Sequence, residues 1–174
     1  MFDDPRILGH VFAAPYGLFE RSLAFVAQDE AGVGGYAVGA LDSRAFEERL
    51  EAGWWPALRD RYPAPPSGLS PDQWTPDQRA ARFIHVPLTV PDELAGDYPS
   101  HLHINLLPRL QSQGLGRRLM NTLMRALREQ GSAGLHFFVW PANQRAIGFY
   151  RHLGFTVISA EGPVIFAMDL RPAA

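Results

Sequence analysis

The pattern of apolar and polar positions predicts a β-hairpin near the start of the chain. Residues 23–28 and 35–41 contain the Val, Phe and Tyr side chains that strands favour. The acidic and glycine-containing stretch 29–32 between them marks a chain reversal. Ahead of this hairpin, residues 1–16 are mildly apolar and predict one short helix.

A helix and a long insertion are predicted for the middle of the chain. Asp42 can cap a helix over 43–58, which Gly53 and Pro56 interrupt. Residues 60–98 form an insertion of loops around a single short helix. Its start is rich in Pro, Ser, Asp and Gly, which is typical of a loop.

The short helix of the insertion has a clear start signal. Thr75 can act as its capping residue, Pro76 occupies its first position, and Gln78 can complete a capping box. We therefore expect a helix over 76–84, followed by another loop to Tyr98.

The second half of the chain alternates strands with helices. A strand is expected at 101–107, and Leu119, Leu123 and Leu127 then recur at helical spacing from Leu115 onwards. A further strand, a helix and two final strands are expected at 135–140, 143–153, 155–159 and 164–170. This order of elements predicts an α/β fold with a mixed sheet.

Composition excludes several classes of protein. The 174 residues suit one domain over 1–174, and the net charge of −2 argues against a nucleic-acid or membrane partner. Without Cys or Lys, the chain has no thiolate nucleophile, cysteine-based zinc site, Schiff-base lysine or phosphate-loop lysine. It has neither the apolar run of a signal peptide near its start nor 18 consecutive apolar residues, so a cytoplasmic location is expected.

A glycine turn between the strand at 101–107 and the following helix suggests anion binding. Gly114 and Gly116 allow a tight turn, so the first free N–H groups of the helix can converge on a phosphate. Arg117 can add positive charge at the rim. Two glycines with this spacing are also common in purely structural turns, and Leu119 stands where a dinucleotide fingerprint needs its third glycine.

Two motifs in order along the chain resemble those of the Gcn5-related N-acetyltransferase (GNAT) family. The pattern Q/R-x-x-G-x-G is filled by Gln111, Gly114 and Gly116. The pattern N-x-x-A-x-x-x-Y-x-x-x-G-F is filled by Asn143, Ala146, Tyr150, Gly154 and Phe155. Segments 98–102 and 149–154 are similar to bacterial acetyltransferases related to the acetyltransferase-like C-terminal domain of O-GlcNAcases.

The resemblance implies a GNAT-like acyl-CoA N-acyltransferase fold with two splayed central strands. Acetyl-CoA would lie between these strands, with its pantetheine amides paired to the backbone of Ile104 and Leu106 and its arm reached by Asn143. The diphosphate would lie on the N–H groups of Ser112, Gln113, Gly114, Leu115, Gly116 and Arg117, and Gln111 of the same loop is a further implied cofactor-binding residue.

The resemblance also implies catalytic residues. Tyr150 matches the position that donates a proton to the departing thiolate, although it could be only a half-buried helix tyrosine. His101 and His103 face the same side of their strand and resemble a histidine pair that serves as a base or relay in arylalkylamine N-acetyltransferases. Either histidine could instead be purely structural. A third metal ligand is not evident, so no metal is expected.

The function implied is an acetyl-CoA-dependent N-acetyltransferase that acts on a primary amine of an unidentified small molecule or protein. The alternative is a non-catalytic module that binds acetyl-CoA or recognises a protein. About twenty residues precede Leu23, too few for the family's first strand, so either the N-terminal part is shortened or Met1 is a late start. The missing strand would leave a sheet edge that the partner of a homodimer could cover.

Overall fold

A mixed six-stranded sheet forms the centre of the computed structural model, which describes residues 2–172. The strands are β1 (Ala24–Asp29), β2 (Gly32–Ala40), β3 (Ser100–Leu106), β4 (Gly134–Val139), β5 (Thr156–Ser159) and β6 (Val164–Asp169). Their order across the sheet is β1-β2-β3-β4-β6-β5, and only β3 and β4 run parallel to each other. The α/β fold with a mixed sheet is confirmed.

The helices are found on both faces of this sheet. They are α1 (Ile7–Phe12), α2 (Ala14–Phe19), α3 (Ser43–Gly53), α4 (Trp55–Arg61), α5 (Pro76–His85), α6 (Asp92–Asp97), α7 (Leu115–Glu129) and α8 (Gln144–His152). No helix in the described part of the chain is long and apolar enough to span a bilayer.

The predicted caps of two helices are confirmed. The Asp42 side chain accepts a hydrogen bond from the Ala45 amide at 2.9 Å and starts α3. Thr75 and Gln78 form a reciprocal capping box at the start of α5. Each cap satisfies backbone donors that a helix leaves free at its N-terminus.

The predicted interruption of the helix over 43–58 is confirmed, since it divides at Trp54, with Pro56 in the first turn of α4. Two other predictions of local structure were wrong. Residues 7–19 form two short helices instead of one. The loop expected before Tyr98 contains α6. Its acidic first turn suits the positive end of a helix dipole, and its Leu94 side chain is buried.

The hairpin of β1 and β2 is confirmed and leaves β1 at the edge of the sheet. Gly32 has a φ of +96° at the turn, and the Asp29 carboxylate accepts a hydrogen bond from the Ala31 amide. Helices α1 and α2 precede β1, and within residues 2–172 its only neighbour in the sheet is β2. The Val26 side chain on this edge is 62% exposed.

Two hydrophobic cores lie on opposite faces of the sheet. The first contains side chains from α7, α8 and the strands, among them Leu102, Leu123, Phe137, Tyr150 and Phe166. The second joins α1 and α2 to α3, α4 and α5, with Ile7, Val38, Phe46, Trp55 and Ile84 among its members. Strands β2 and β3 are antiparallel neighbours, yet the chain between them forms four helices, where a tight turn would suffice. Three of these helices, α3, α4 and α5, pack on the same face of the sheet as α1 and α2.

Candidate active site

Strands β3 and β4 separate to form a fork. Only two residue pairs join them, Ser100 with Leu135 and His101 with His136. The remainder of β3 continues beside β2 but has no partner on its other side within residues 2–172. The splayed strands implied by the family resemblance are therefore present.

The free edge of β3 presents backbone groups to the gap of the fork. The Leu107 amide donates to the Gly34 carbonyl at 2.8 Å, which places the alternate residues 101, 103 and 105 in hydrogen-bonded pairs with β2. The N–H and C=O groups of Ile104 and Leu106 consequently point into the gap. The Leu106 carbonyl accepts a hydrogen bond there from the Gln111 side-chain amide at 2.7 Å.

The loop between β3 and α7 holds a row of free amides. Ser112 and Gly114 have φ values of +61° and +76°, and the first backbone bond of α7 runs from the Arg118 amide to the Gly114 carbonyl. Within the described chain, no acceptor is found for the amides of residues 112–117. Such a row at a helix N-terminus can bind an anion. The side chains of Ser112, Gln113 and Arg117 are exposed around it.

Three elements converge at the mouth of the fork. A Cβ atom added to Gly116 would lie 3.3 Å from Phe149 Cζ and 3.4 Å from Leu106 Cδ1. Gly116 therefore lets the start of α7 approach both α8 and the end of β3 closely. The sequence motif indicated Gly116 for its amide, and the structure adds this packing role.

Tyr150 has a buried ring and an unpaired hydroxyl. Its ring is 4.4 Å from that of Phe137 and 5.5 Å from that of Phe166, measured between centroids, and the residue is 7% exposed. The hydroxyl makes no hydrogen bond with residues 2–172, yet it is not fully enclosed. Burial raises the pKa of Tyr150 to about 12, so the hydroxyl stays protonated near neutral pH and has a proton to donate.

His101 is held by hydrogen bonds at both ring nitrogens. Its Nε2 is 2.8 Å from the Tyr16 hydroxyl, and its Nδ1 is 2.8 Å from Ser43 Oγ. Ser43 donates its own proton to the Pro99 carbonyl, so Nδ1–H of His101 donates to Ser43 and Nε2 accepts from Tyr16. Burial, followed by the nearby His136 and His103, lowers the pKa of His101 to about 3. This imidazole is neutral and fixed.

His103 keeps one ring nitrogen available. Its Nδ1 is 3.0 Å from the Tyr36 hydroxyl, and its ring stacks on Phe12 at 5.2 Å and on Tyr36 at 5.7 Å. Its Nε2 has no partner in the described structure. Burial lowers the pKa of His103 to about 4. Among residues 2–172, no three His, Cys, Asp or Glu side chains are placed to hold a metal ion.

Helix α8 brings two polar side chains to the fork. Asn143 caps this helix by accepting a hydrogen bond from the Ala146 amide at 3.1 Å, a structural reason for the N-x-x-A spacing. Arg145, to which sequence reasoning assigned no role, donates to Gln111 Oε1 at 2.5 Å and to Ser112 Oγ at 3.2 Å. A basic residue two positions after the motif asparagine was the available signal for it.

Comparison with known proteins agrees with this geometry. The sequence profile of the Acetyltransferase (GNAT) family matches residues 55–155. The chain belongs to the GNAT family of acetyltransferases. The crystal structure of SsHAT superposes on this GNAT chain with a TM-score of 0.86 and 38% sequence identity, covering 98% of this chain and 84% of SsHAT.

More distant relatives share the GNAT fold or part of the sequence. The structure of yncA from Salmonella typhimurium with its cofactor acetyl-CoA gives a TM-score of 0.51 at 16% identity, over 91% of this chain and 72% of yncA. Protein O-GlcNAcase of Rattus norvegicus is 26% identical over 149 residues, as is that of Mus musculus. The match covers 84% of this chain but only 16% of each O-GlcNAcase.

Proposed function

We propose that this chain binds acetyl-CoA in the fork between β3 and β4 and transfers the acetyl group to a primary amine. The free edge of β3, which leads directly into the free amides of residues 112–117, carries this proposal. An unpaired strand edge suits an extended chain that bears amides, and the row of N–H groups suits a diphosphate. The GNAT structure of yncA with acetyl-CoA supports the choice of ligand.

The residues at the fork fit the parts of acetyl-CoA. The backbone of Ile104 and Leu106 would pair with the pantetheine amides, and Asn143 would reach the same arm. The Leu106 carbonyl already accepts from the Gln111 side chain, and its second lone pair would accept from an incoming pantetheine amide. The diphosphate would lie on the amides of residues 112–117, where the positive end of α7 also favours negative charge.

Tyr150 would act at the departing sulfur. A donor with a pKa of about 12 remains protonated throughout the working pH range. The same high pKa opposes complete transfer of its proton to a thiolate, whose reference pKa is near 8.5. The main contribution of Tyr150 is therefore a hydrogen bond that stabilises the developing negative charge on sulfur.

His103 would receive the proton of the amine. Its Nε2 is free, whereas His101 uses both ring nitrogens. Because the pKa of His103 is about 4, its imidazole is neutral at pH 7 but too weak a base to deprotonate a free alkylammonium. The amine would attack in its neutral form, and His103 would accept the proton as the nitrogen becomes acidic on bonding to the acetyl carbon.

A non-catalytic acetyl-CoA-binding module is the second candidate. The weakness of His103 as a base and the fixed hydrogen bonds of His101 favour it. Under this alternative the fork would bind acetyl-CoA without turnover, and the bound state would serve recognition.

Thermal melting and thiol release distinguish the candidates. At acetyl-CoA concentrations about 100 times Kd, binding adds about 2.7 kcal/mol of stability. That corresponds to a rise in melting temperature of roughly 5–10 °C for a chain of this size. No shift at millimolar acetyl-CoA would contradict both candidates. Release of CoA thiol with any member of an amine panel supports the enzyme, and a melting shift without thiol release on any amine supports the module.

A further inference from the structure

Arg145 spans the mouth of the fork. It lies in the first turn of α8, beyond β4, whereas its two hydrogen-bond partners lie on the loop that follows β3. One guanidinium nitrogen donates to Gln111 Oε1 at 2.5 Å and the other to Ser112 Oγ at 3.2 Å. The guanidinium is thus held beside the free amides of residues 112–117.

The charge of Arg145 is not compensated by a carboxylate in the described structure. Several other arginines do pair with acids, as Arg109 does with Asp29 at 2.9 Å and Arg59 with Glu51 at 2.5 Å. Both hydrogen-bond partners of Arg145 are neutral, and Arg145 itself is exposed. A guanidinium has five N–H donors in one plane, so three donors remain after these two bonds.

The chemistry of this arrangement suits a phosphate. Guanidinium binds phosphate oxygens through paired, charge-assisted hydrogen bonds, and backbone amides add further donors to the same anion. Gln111 and Ser112 fix the side chain in advance, which lowers the conformational entropy lost on binding.

Resting on the proposed function, we infer that Arg145 binds the diphosphate of acetyl-CoA together with the amides of residues 112–117. It thereby makes the site selective for acyl donors that carry a nucleotide over acetyl-pantetheine alone. Arg145 is a binding and specificity residue, and it takes no part in the proton transfers assigned to Tyr150 and His103.

Isothermal titration calorimetry of the full chain tests this assignment. The ligands are acetyl-CoA, acetyl-dephospho-CoA and acetyl-pantetheine, and the variants are Arg145→Ala, Arg145→Gln and Arg145→Lys. Arg151→Ala is the matched control, because Arg151 is an exposed arginine of the same helix that makes no hydrogen bond to the loop within residues 2–172.

Loss of the guanidinium should weaken acetyl-CoA binding about 10-fold to 100-fold, as expected for a charge-assisted hydrogen bond. The affinity for acetyl-dephospho-CoA should fall by the same factor, whereas the affinity for acetyl-pantetheine should stay within about twofold of wild type. The Arg151→Ala control should bind all three ligands within about twofold of wild type. Arg145→Lys should retain part of the acetyl-CoA affinity, because an ammonium keeps the charge but lacks the planar set of donors of a guanidinium. Arg145→Gln keeps a hydrogen-bonding amide but has no charge. Its acetyl-CoA affinity should therefore fall as well, which tests the inference even if Arg145→Ala folds poorly.

Three results would overturn the inference. Unchanged acetyl-CoA affinity in Arg145→Gln would show that the guanidinium does not touch the ligand. An equal loss with acetyl-pantetheine would mean that Arg145 only holds the fork together, and a loss absent with acetyl-dephospho-CoA would place the contact at the 3′-phosphate. If wild type itself fails to bind acetyl-CoA, the proposed function fails as well, which separates that outcome from the other three.

Discussion

His101 of β3 and His136 of β4 form the last pair in register before the two strands separate. Their ring centroids are 6.1 Å apart, and His136 Nδ1 lies 2.7 Å from the Tyr98 carbonyl. Burial lowers the pKa of both imidazoles, so both are neutral at pH 7. The base of the fork is thus fixed by uncharged, hydrogen-bonded side chains, and the strands diverge from a defined point.

We predict that acid destabilises the fold through His101. Its pKa is lowered from 6.5 to about 3 in the folded chain, so its contribution to stability is complete above pH 6.5 and is lost as the pH falls towards 3. In His101→Gln the melting temperature should fall less between pH 7 and pH 4 than in wild type. Between these two pH values, the free energy of unfolding should fall by on the order of 2 kcal/mol less in His101→Gln than in wild type. Equal slopes of melting temperature against pH in wild type and His101→Gln would contradict the prediction.

A methyl group at Gly116 should impair acetyl-CoA binding. In Gly116→Ala the new Cβ meets Phe149 and Leu106 at 3.3 and 3.4 Å, so the mouth of the fork must shift by a few tenths of an ångström. We expect affinity to fall roughly tenfold by calorimetry, as when a preorganised site is disturbed. Gly148→Ala on α8 meets nothing within 4 Å and should gain about 0.5–1 kcal/mol of stability without loss of affinity. Wild-type affinity in Gly116→Ala would contradict the packing argument.

Removal of the Tyr150 hydroxyl should slow turnover without affecting the fold. Tyr150→Phe keeps the ring that packs on Phe137 and removes a hydroxyl that bonds to no described residue. We expect kcat to fall about 10²-fold, with acetyl-CoA affinity and melting temperature close to wild type. Assays of CoA thiol release measure kcat. Unchanged kcat would remove Tyr150 from the mechanism, whereas a large drop in melting temperature would indicate a structural role.

The pH dependence of turnover should follow the pKa of the acceptor amine and not the titration of the histidines. The pKa of His103 is lowered to about 4 by burial between Phe12 and Tyr36, so its imidazole is already neutral across pH 5–9. kcat/KM should rise with pH up to the pKa of the acceptor amine, and amines of lower pKa should move the midpoint down by the same amount. An inflection near pH 6.5 that disappears in His103→Gln would show that His103 titrates normally and acts as an ordinary base.

Local signals in the sequence determined much of this GNAT chain. The hairpin of β1 and β2, the caps Asp42 and Thr75, and the leucine spacing of α7 depend on neighbours within a few residues, so they could be read without tertiary structure. The positions of the two motifs were equally available. Helix α6 was missed because it is short and its single buried residue, Leu94, gives no periodicity to detect.

Tertiary structure alone decided which candidate side chains are free to act. His101 and His103 are equivalent in the strand pattern, yet partners 85 and 58 residues away in the sequence, Tyr16 and Ser43, occupy both nitrogens of His101. Arg145 reaches a loop more than thirty residues before it because α8 packs beside the start of α7, where Phe149 lies next to Gly116. Such contacts depend on how distant segments pack, and no local pattern of residues specifies them.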